Sequence, residues 1–207
     1  MFVSRRRRIT DIVFDASGLK VYGEGEWKVR THGKSKRRSW RKIHIGLDPK
    51  THDIVLAELT ENSSNDGQVL VDLLDETNGY IQRVYGDGIY DSERCYEAIR
   101  RKSAKPMIPV RRNGRYKPSK KPWMQERNKQ IMEIASLGND ETAREIWKKL
   151  KGYHKQSLVE TAFYRWKTLL EDRLRSRKLS SQIVEANVKC MILNKINTLG
   201  LPASYMK

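Results

Sequence analysis

Three carboxylates stand out by type and setting. Asp87 sits between two glycines in "VYGDGIYDS", directly after a run that reads as a β-strand. Asp15 closes the apolar run "ITDIVFD", and Glu160 opens a polar stripe with Tyr164, Lys167 and Glu171 at spacings of three or four residues. Two aspartates brought together at one sheet edge repel each other, which raises a pKa or draws in a counter-cation. Hard oxygen donors favour magnesium or manganese, two ions of which suit phosphodiester chemistry. Plainer readings stand beside this one. An Asp-Gly pair is ordinary turn chemistry, and a charged helix face serves solubility.

Positioning those groups falls to elements that the apolar periodicity predicts. Residues 9–15 read as a strand ending at Asp15, followed by a hairpin through "LKVYGEGEWKVR". "WRKIHIGLD" and "IVLAELT" alternate around "PKTHD" as a second hairpin. "NDGQVLVDLLDETN" predicts a helix capped by Asn65 or Asp66. "IQRVYG" then reads as a strand, "DSERCYEAIRRK" as a helix and "KPMIPV" as a strand. Beyond the basic loop "RRNGRYKPSKKP" the chain reads as helices, the third running through "KQSLVETAFYRWKTLLEDRLRSR".

Two antiparallel turns followed by β-α-β crossovers predict an α/β fold, a ribonuclease-H-like mixed five-stranded sheet flanked by helices, with a helical C-terminal part. In that order the first and fourth strands are parallel neighbours, so Asp15 and Asp87 emerge together at one edge, where open sheets place ligands. Gly86 and Gly88 read as bare backbone that lets a phosphodiester and a metal come close.

Charge points to the partner. The 207 residues hold 42 Lys and Arg against 25 Asp and Glu, a net +17, which suits a polyanion bound with counterion release. With 38% apolar residues, five Trp and nine Tyr, the chain has the material for a core and is no disordered basic tail. Apolar runs fall short of the ~18 to 20 residues of a membrane span, and the N-terminus lacks a signal peptide's apolar stretch, so a cytoplasmic location is expected. Cys95 and Cys190 read as buried thiols, and His32, His44, His52 and His154 lack the spacing of a metal motif. The loop cations Arg111, Arg112, Arg115, Lys117, Lys120 and Lys121, with "KSKRR" (Lys34 to Arg38), are candidates for tracking a DNA backbone.

"DASGLKVYGEGEWKVRTHGKSKRRSWRKIHIGLD", "VYGDGIYD" and "YHKQSLVETAFYRWKTLLEDRLRSR", in this order, resemble the catalytic domain of DDE transposases of small bacterial insertion sequences, of the insertion-sequence-five type. The resemblance runs from about Ile9 to Pro202. It implies a catalytic and metal-binding triad of Asp15, Asp87 and Glu160 with two Mg2+ or Mn2+ ions, cleavage at the element's ends, and 3′-hydroxyl strand transfer into target DNA. A Tyr-x2-Arg-x3-Glu-x6-Lys signature falls on Tyr153, Gln156, Glu160 and Lys167, implying phosphate contacts for Tyr153 and Lys167; Gln156 replaces the usual arginine and loses its charge. Asp91 reads as the N-cap of the helix that follows. Relatives carry an N-terminal DNA-binding region, whereas Asp15 lies fourteen residues from the start of this chain, so a single catalytic domain without that region is expected over residues 1–207. Implied partners are the terminal inverted repeats, target DNA, and further copies or a full-length transposase in a synaptic complex. A catalytically silent DNA-binding remnant, or a metal-dependent nuclease without strand transfer, remain the alternatives.

Overall fold

In a computed structural model, residues 10–21 and 40–200 are described, together with the backbone strand at residues 2–3. The glycine-turn hairpin and the cations Lys34 to Arg38 lie outside the described residues. The strands are β1 (Phe2–Val3), β2 (Asp11–Val21), β3 (Trp40–Leu47), β4 (Ile54–Glu61), β5 (Arg83–Tyr85), β6 (Lys105–Met107) and β7 (Arg173–Leu174). They form one mixed sheet ordered β1-β4-β3-β2-β5-β6, with β7 also on β2. The predicted five strands are β2 to β6, and the two-residue strands β1 and β7 extend them.

Period-two alternation along the central strands sends side chains to two buried faces. Ile12 and Phe14 of β2 join Leu56 under α1 (Asp66–Asp75) and α2 (Glu93–Arg101), with Val69, Leu70, Leu73, Cys95 and Ile99. Val13, Ile43, Ile45 and Leu47 face the other way, under α5 (Gln156–Leu170) and α6 (Leu179–Thr198), with Val159, Phe163, Trp166 and Cys190. Both cysteines are buried free thiols. Between β6 and α5 runs the basic loop and then α3 (Pro122–Ser136) and α4 (Glu141–Leu150), which pack on each other through Ile134, Ala143 and Trp147.

Several details differ from the sequence expectation. β2 does not stop at Asp15 but continues for six residues to Val21, because β3 pairs with it antiparallel along Val13–Lys20, Asp15 opposite Ile45. The helix from Gln156 does not reach Arg177. It ends at Leu170, since Glu171 takes a left-handed φ of 64°, and the chain turns into β7, parallel to β2 at Lys20 and Val21. Two short partners thus share one edge of β2: β5 at Asp11–Val13 and β7 at Lys20–Val21. The stretch of β2 between them, with Asp15, has no strand on that edge among the described residues.

Asp91 is not a helix cap. Ser92 holds the cap position of α2, and the Asp91 carboxylate is turned inward onto Arg127 of α3, Nε to Oδ1 2.9 Å and Nη2 to Oδ2 3.1 Å, while the Arg111 N–H donates to Oδ2 at 3.1 Å. An ion pair across the fold outcompetes a local cap here because a guanidinium fork satisfies both carboxylate oxygens at once.

Candidate active site

Asp15 lies on the α5 face of β2, in phase with Val13 and Leu19, both of which pack beneath α5 and α6. The parallel register of β2 on β5 pairs Asp11 with Arg83 and Val13 with Tyr85; carried two residues further it sets Asp87 level with Asp15. Asp87 caps the single-turn 3-10 helix Gly88–Tyr90, its Oδ1 accepting from Ile89 N–H at 2.8 Å. Oδ1 of Asp15 likewise accepts from Ala16 N–H at 2.8 Å. In each aspartate one oxygen is held by backbone, and the other makes no hydrogen bond among the described residues. Glu160 stands exposed on the first turn and a half of α5, with Tyr164 and Lys167 exposed on the same stripe.

The three carboxylates share one electrostatic field. Burial lifts the Asp15 pKa to about 6, the Ala16 N–H pulls it down, and the charges of Asp87, Glu160 and Asp66 raise it. Asp87 is raised as well, first by burial and then by Asp66, against the lowering effects of the Ile89 N–H and the Arg111 guanidinium. Tyr153 is pushed up by burial and by the charges of Asp87, Asp15 and Glu160, so its hydroxyl keeps its proton amid all three. Among the described residues no three His, Cys, Asp or Glu side chains stand close enough to form a metal-holding group. The donor chemistry nevertheless fits a hard divalent ion: two oriented carboxylates, each with an uncommitted oxygen, and an electrostatic demand for positive charge.

The sign of the pH effect follows. The folded pKa of Asp15, about 6, lies above the ordinary aspartate value of 3.8, so the native state holds the proton more tightly than the unfolded chain. In metal-free protein this group's relative stabilisation is present at low pH and is lost as pH rises through about 6. Asp15→Asn is therefore expected to raise the urea midpoint of metal-free protein at pH 7.5 and to leave it unchanged at pH 4. A divalent ion competes with that same proton, so Mn2+ affinity, followed by calorimetric titration, should weaken by up to about tenfold per pH unit below the Asp15 pKa.

Gly86 works differently from expectation. A Cβ on Gly86 would sit 2.7 Å from Cδ2 of the buried Tyr90 ring, so that space belongs to Tyr90 and not to a ligand. At Gly88 the neighbours are Arg111 Cγ and the Pro109 carbonyl, both at 3.7 Å. Gly86→Ala should cost about 1–3 kcal/mol, the usual cost of overpacking, measurable by chemical denaturation.

Residues expected on phosphate divide into two groups. Arg112, Arg115, Lys117, Lys120, Lys121 and Lys167 are exposed, as is Arg111. Arg112 pairs with Glu141 at 3.1 Å and Lys121 with Glu93 at 2.9 Å, surface contacts of low cost to break. The others grip backbone. Tyr153 Oη donates to the Gly86 carbonyl at 3.2 Å, and Arg111 donates to the carbonyls of Gly88 (2.8 Å) and Ile89 (3.1 Å). Gln156, 7% exposed, is turned inward and donates to the Phe14 carbonyl at 3.1 Å.

Two acidic residues near these elements escape a motif-based reading. Asn65 takes the α1 cap by accepting from Gln68 N–H, which frees Asp66 to bind Lys42 at 2.7 Å; its charge also raises the pKa of Asp15 and of Asp87. Its signal was the doubled Asn-Asp at a helix start, where one side chain suffices. Burial drives the His44 pKa to about 4 although Asp66 pulls it upward, so His44 is neutral, its Nε2 bonded to Thr60 Oγ1 at 2.9 Å. Asp11, 5% exposed, ties the sheet to the entry of α5: Arg83 binds both its oxygens at 2.8 and 2.9 Å, and Lys155 binds Oδ2 at 2.7 Å.

A mixed sheet of this order, with acidic side chains supplied by its central strand, by the turn after the neighbouring parallel strand and by a helix on its face, is of the ribonuclease-H-like class. Comparison with known families matches residues 6–195 to the Transposase DDE domain. The chain belongs to that family. Membership implies transposase catalysis, a polynucleotidyl transferase or endonuclease reaction on DNA, and the divalent metal ions that such domains generally use. No described helix is long and apolar enough to cross a membrane.

Proposed function

We propose that this chain is the catalytic domain, over residues 1–207, of an insertion-sequence-five type transposase that cleaves its element's ends and joins the freed 3′-hydroxyl to target DNA. The observation that carries this reading is the end-on placement of Asp15 and Asp87 from neighbouring parallel strands, each with one oxygen fixed by a backbone N–H, below the helix that carries Glu160. Two ions, Mg2+ or Mn2+, held by those carboxylates would supply activation of the attacking oxygen and charge neutralisation at the departing one. Asp15 and Asp87 present their second oxygens in fixed directions, so little reorganisation is needed. Lys167, two turns along α5 from Glu160, neutralises a phosphate of the bound strand. Arg112, Arg115, Lys117, Lys120 and Lys121, in the loop of residues 111–123, track the backbone of the terminal inverted repeat or target without reading bases. Further copies or a full-length transposase complete a synaptic complex on the bacterial nucleoid.

The deciding experiment incubates the purified chain with a pre-nicked duplex bearing the element's terminal repeat and Mg2+ or Mn2+. Joined products support transposition. Metal-dependent nicks without joining identify a nuclease, and DNA binding without either product identifies a silent remnant.

A further inference from the structure

We infer that Arg111, Tyr153 and Gln156 are positioning residues that frame the two aspartates by gripping the carbonyls beside them, and are not contacts to DNA. The inference rests on the reading of Asp15 and Asp87 as metal ligands. Each carbonyl gripped adjoins an acid or lies within two residues of it. Gln156 holds Phe14, the residue before Asp15. Tyr153 holds Gly86, the residue before Asp87, and Arg111 holds Gly88 and Ile89, the residues after it.

Three features separate this frame from incidental contacts. The gripped carbonyls lie where strand pairing gives out, Phe14 just past the reach of β5 along β2, and Gly86 to Ile89 just past the end of β5. Past the end of β5 no ladder orients these carbonyls from that edge, and side chains add hydrogen bonds there; the Gly88 carbonyl also accepts from the Asp91 N–H at 3.3 Å. Second, the three grips come from two different segments. Arg111 belongs to the loop after β6, and Tyr153 and Gln156 to the entry of α5, the helix that carries Glu160. The frame therefore relates all three acids to one another. Third, the chemistry suits carbonyls. A buried glutamine donates without bringing a charge into the core, and a guanidinium fork spans two successive carbonyls, which an ammonium cannot match in geometry. Arg115, Lys117 and Lys120 are exposed in the same loop and serve phosphate, so DNA binding does not need these three.

Conservative variants that remove one donor each test the frame: Arg111→Lys, Tyr153→Phe and Gln156→Met. The amides of Ile89 and Ala16 report directly, because each donates to the carboxylate in question. Hydrogen exchange at Ile89 should accelerate in Arg111→Lys and Tyr153→Phe, and at Ala16 in Gln156→Met, with α1 and α6 amides unchanged. Mn2+ affinity and cleavage rate at saturating DNA should fall by about 10- to 100-fold, as for other groups that orient metal ligands. DNA affinity and its salt dependence should stay those of the parent.

Unchanged exchange at Ile89 and Ala16 in all three variants would overturn the frame even if cleavage is found. So would an Arg111→Lys variant with parental Mn2+ affinity, or a loss of about tenfold in DNA affinity in metal-free buffer at fixed salt in Gln156→Met or Tyr153→Phe, the mark of a lost hydrogen bond to phosphate. A parent that binds Mn2+ and shows the exchange changes but cuts no DNA would instead sink the catalytic proposal and leave the frame standing.

Discussion

Asp87→Asn is expected to lower metal-dependent cleavage and joining by about 10³-fold or more, the loss that follows from removing roughly 4 kcal/mol of charge stabilisation. The variant isolates charge from structure. Asparagine keeps an oxygen to accept the Ile89 N–H, so the 3-10 turn and its Arg111 grip remain. Only the anionic oxygen that would face a cation disappears. DNA affinity should hold or tighten slightly, since a negative charge near phosphate has been withdrawn. Product formation on a pre-nicked repeat duplex and fluorescence anisotropy for binding measure the two quantities separately. Asp15→Asn and Glu160→Gln should behave alike, whereas Asp66→Asn, whose carboxylate is occupied by Lys42, should cost about tenfold as a group acting through its neighbours. Activity of Asp87→Asn within tenfold of the parent would remove Asp87 from the reacting centre.

Asp91→Ala carries the largest expected effect on stability. Its side chain is 1% exposed, and the Arg127 guanidinium that it binds is 14% exposed. Truncation leaves that cation buried with one remaining acceptor, the Arg115 carbonyl at 3.3 Å, and strips the Arg111 N–H of its partner. Breaking a buried pair from one side costs about 3–5 kcal/mol. Urea titration should show the loss. Arg127→Ala in the same background should add much less than it costs alone, because the two residues form one unit. A loss under about 1 kcal/mol, or simple additivity, would mean that solvent already screens the pair. The defect should persist in saturating Mn2+ wherever the metal binds only Asp15, Asp87 and Glu160, which separates it from the Asp87 phenotype.

The sheet was legible because it is buried on both faces. Ile43, Ile45 and Leu47 alternating with His44 and Gly46 admit few other interpretations, and the order of strands and helices then leaves one right-handed crossover topology for β5 and β6. Asp15 and Asp87 were legible for the same reason, since strand order places them before any side chain is seen. What escaped depends on contacts between distant segments. The pairing of Asp91 with Arg127, 36 residues away, and of Asp11 with Lys155, 144 residues away, leave no local pattern. The end of α5 escaped because "LLEDRLRSR" has good helical propensity, and only the pairing of Arg173 and Leu174 with β2 overrides it. Exposed cations also read alike in sequence, so the grip of Arg111 on backbone carbonyls cannot be told from the solvent-facing reach of Lys117.

The anchoring of α5 at both ends has a further consequence for which length changes the chain tolerates. Its start is tied through Gln156 to Phe14 and through Lys155 to Asp11, and its far end is tied by β7 to Lys20 and Val21 of the same strand. The helix is a crossbar of set length over β2. One residue inserted between Gln156 and Glu160 would swing Glu160 about 100° around the bar. Insertions in the turn between α3 and α4 leave both fastenings, and the Arg111 and Arg127 contacts, in place, so this is where the domain can lengthen, and take up new DNA-facing surface, without moving its acids.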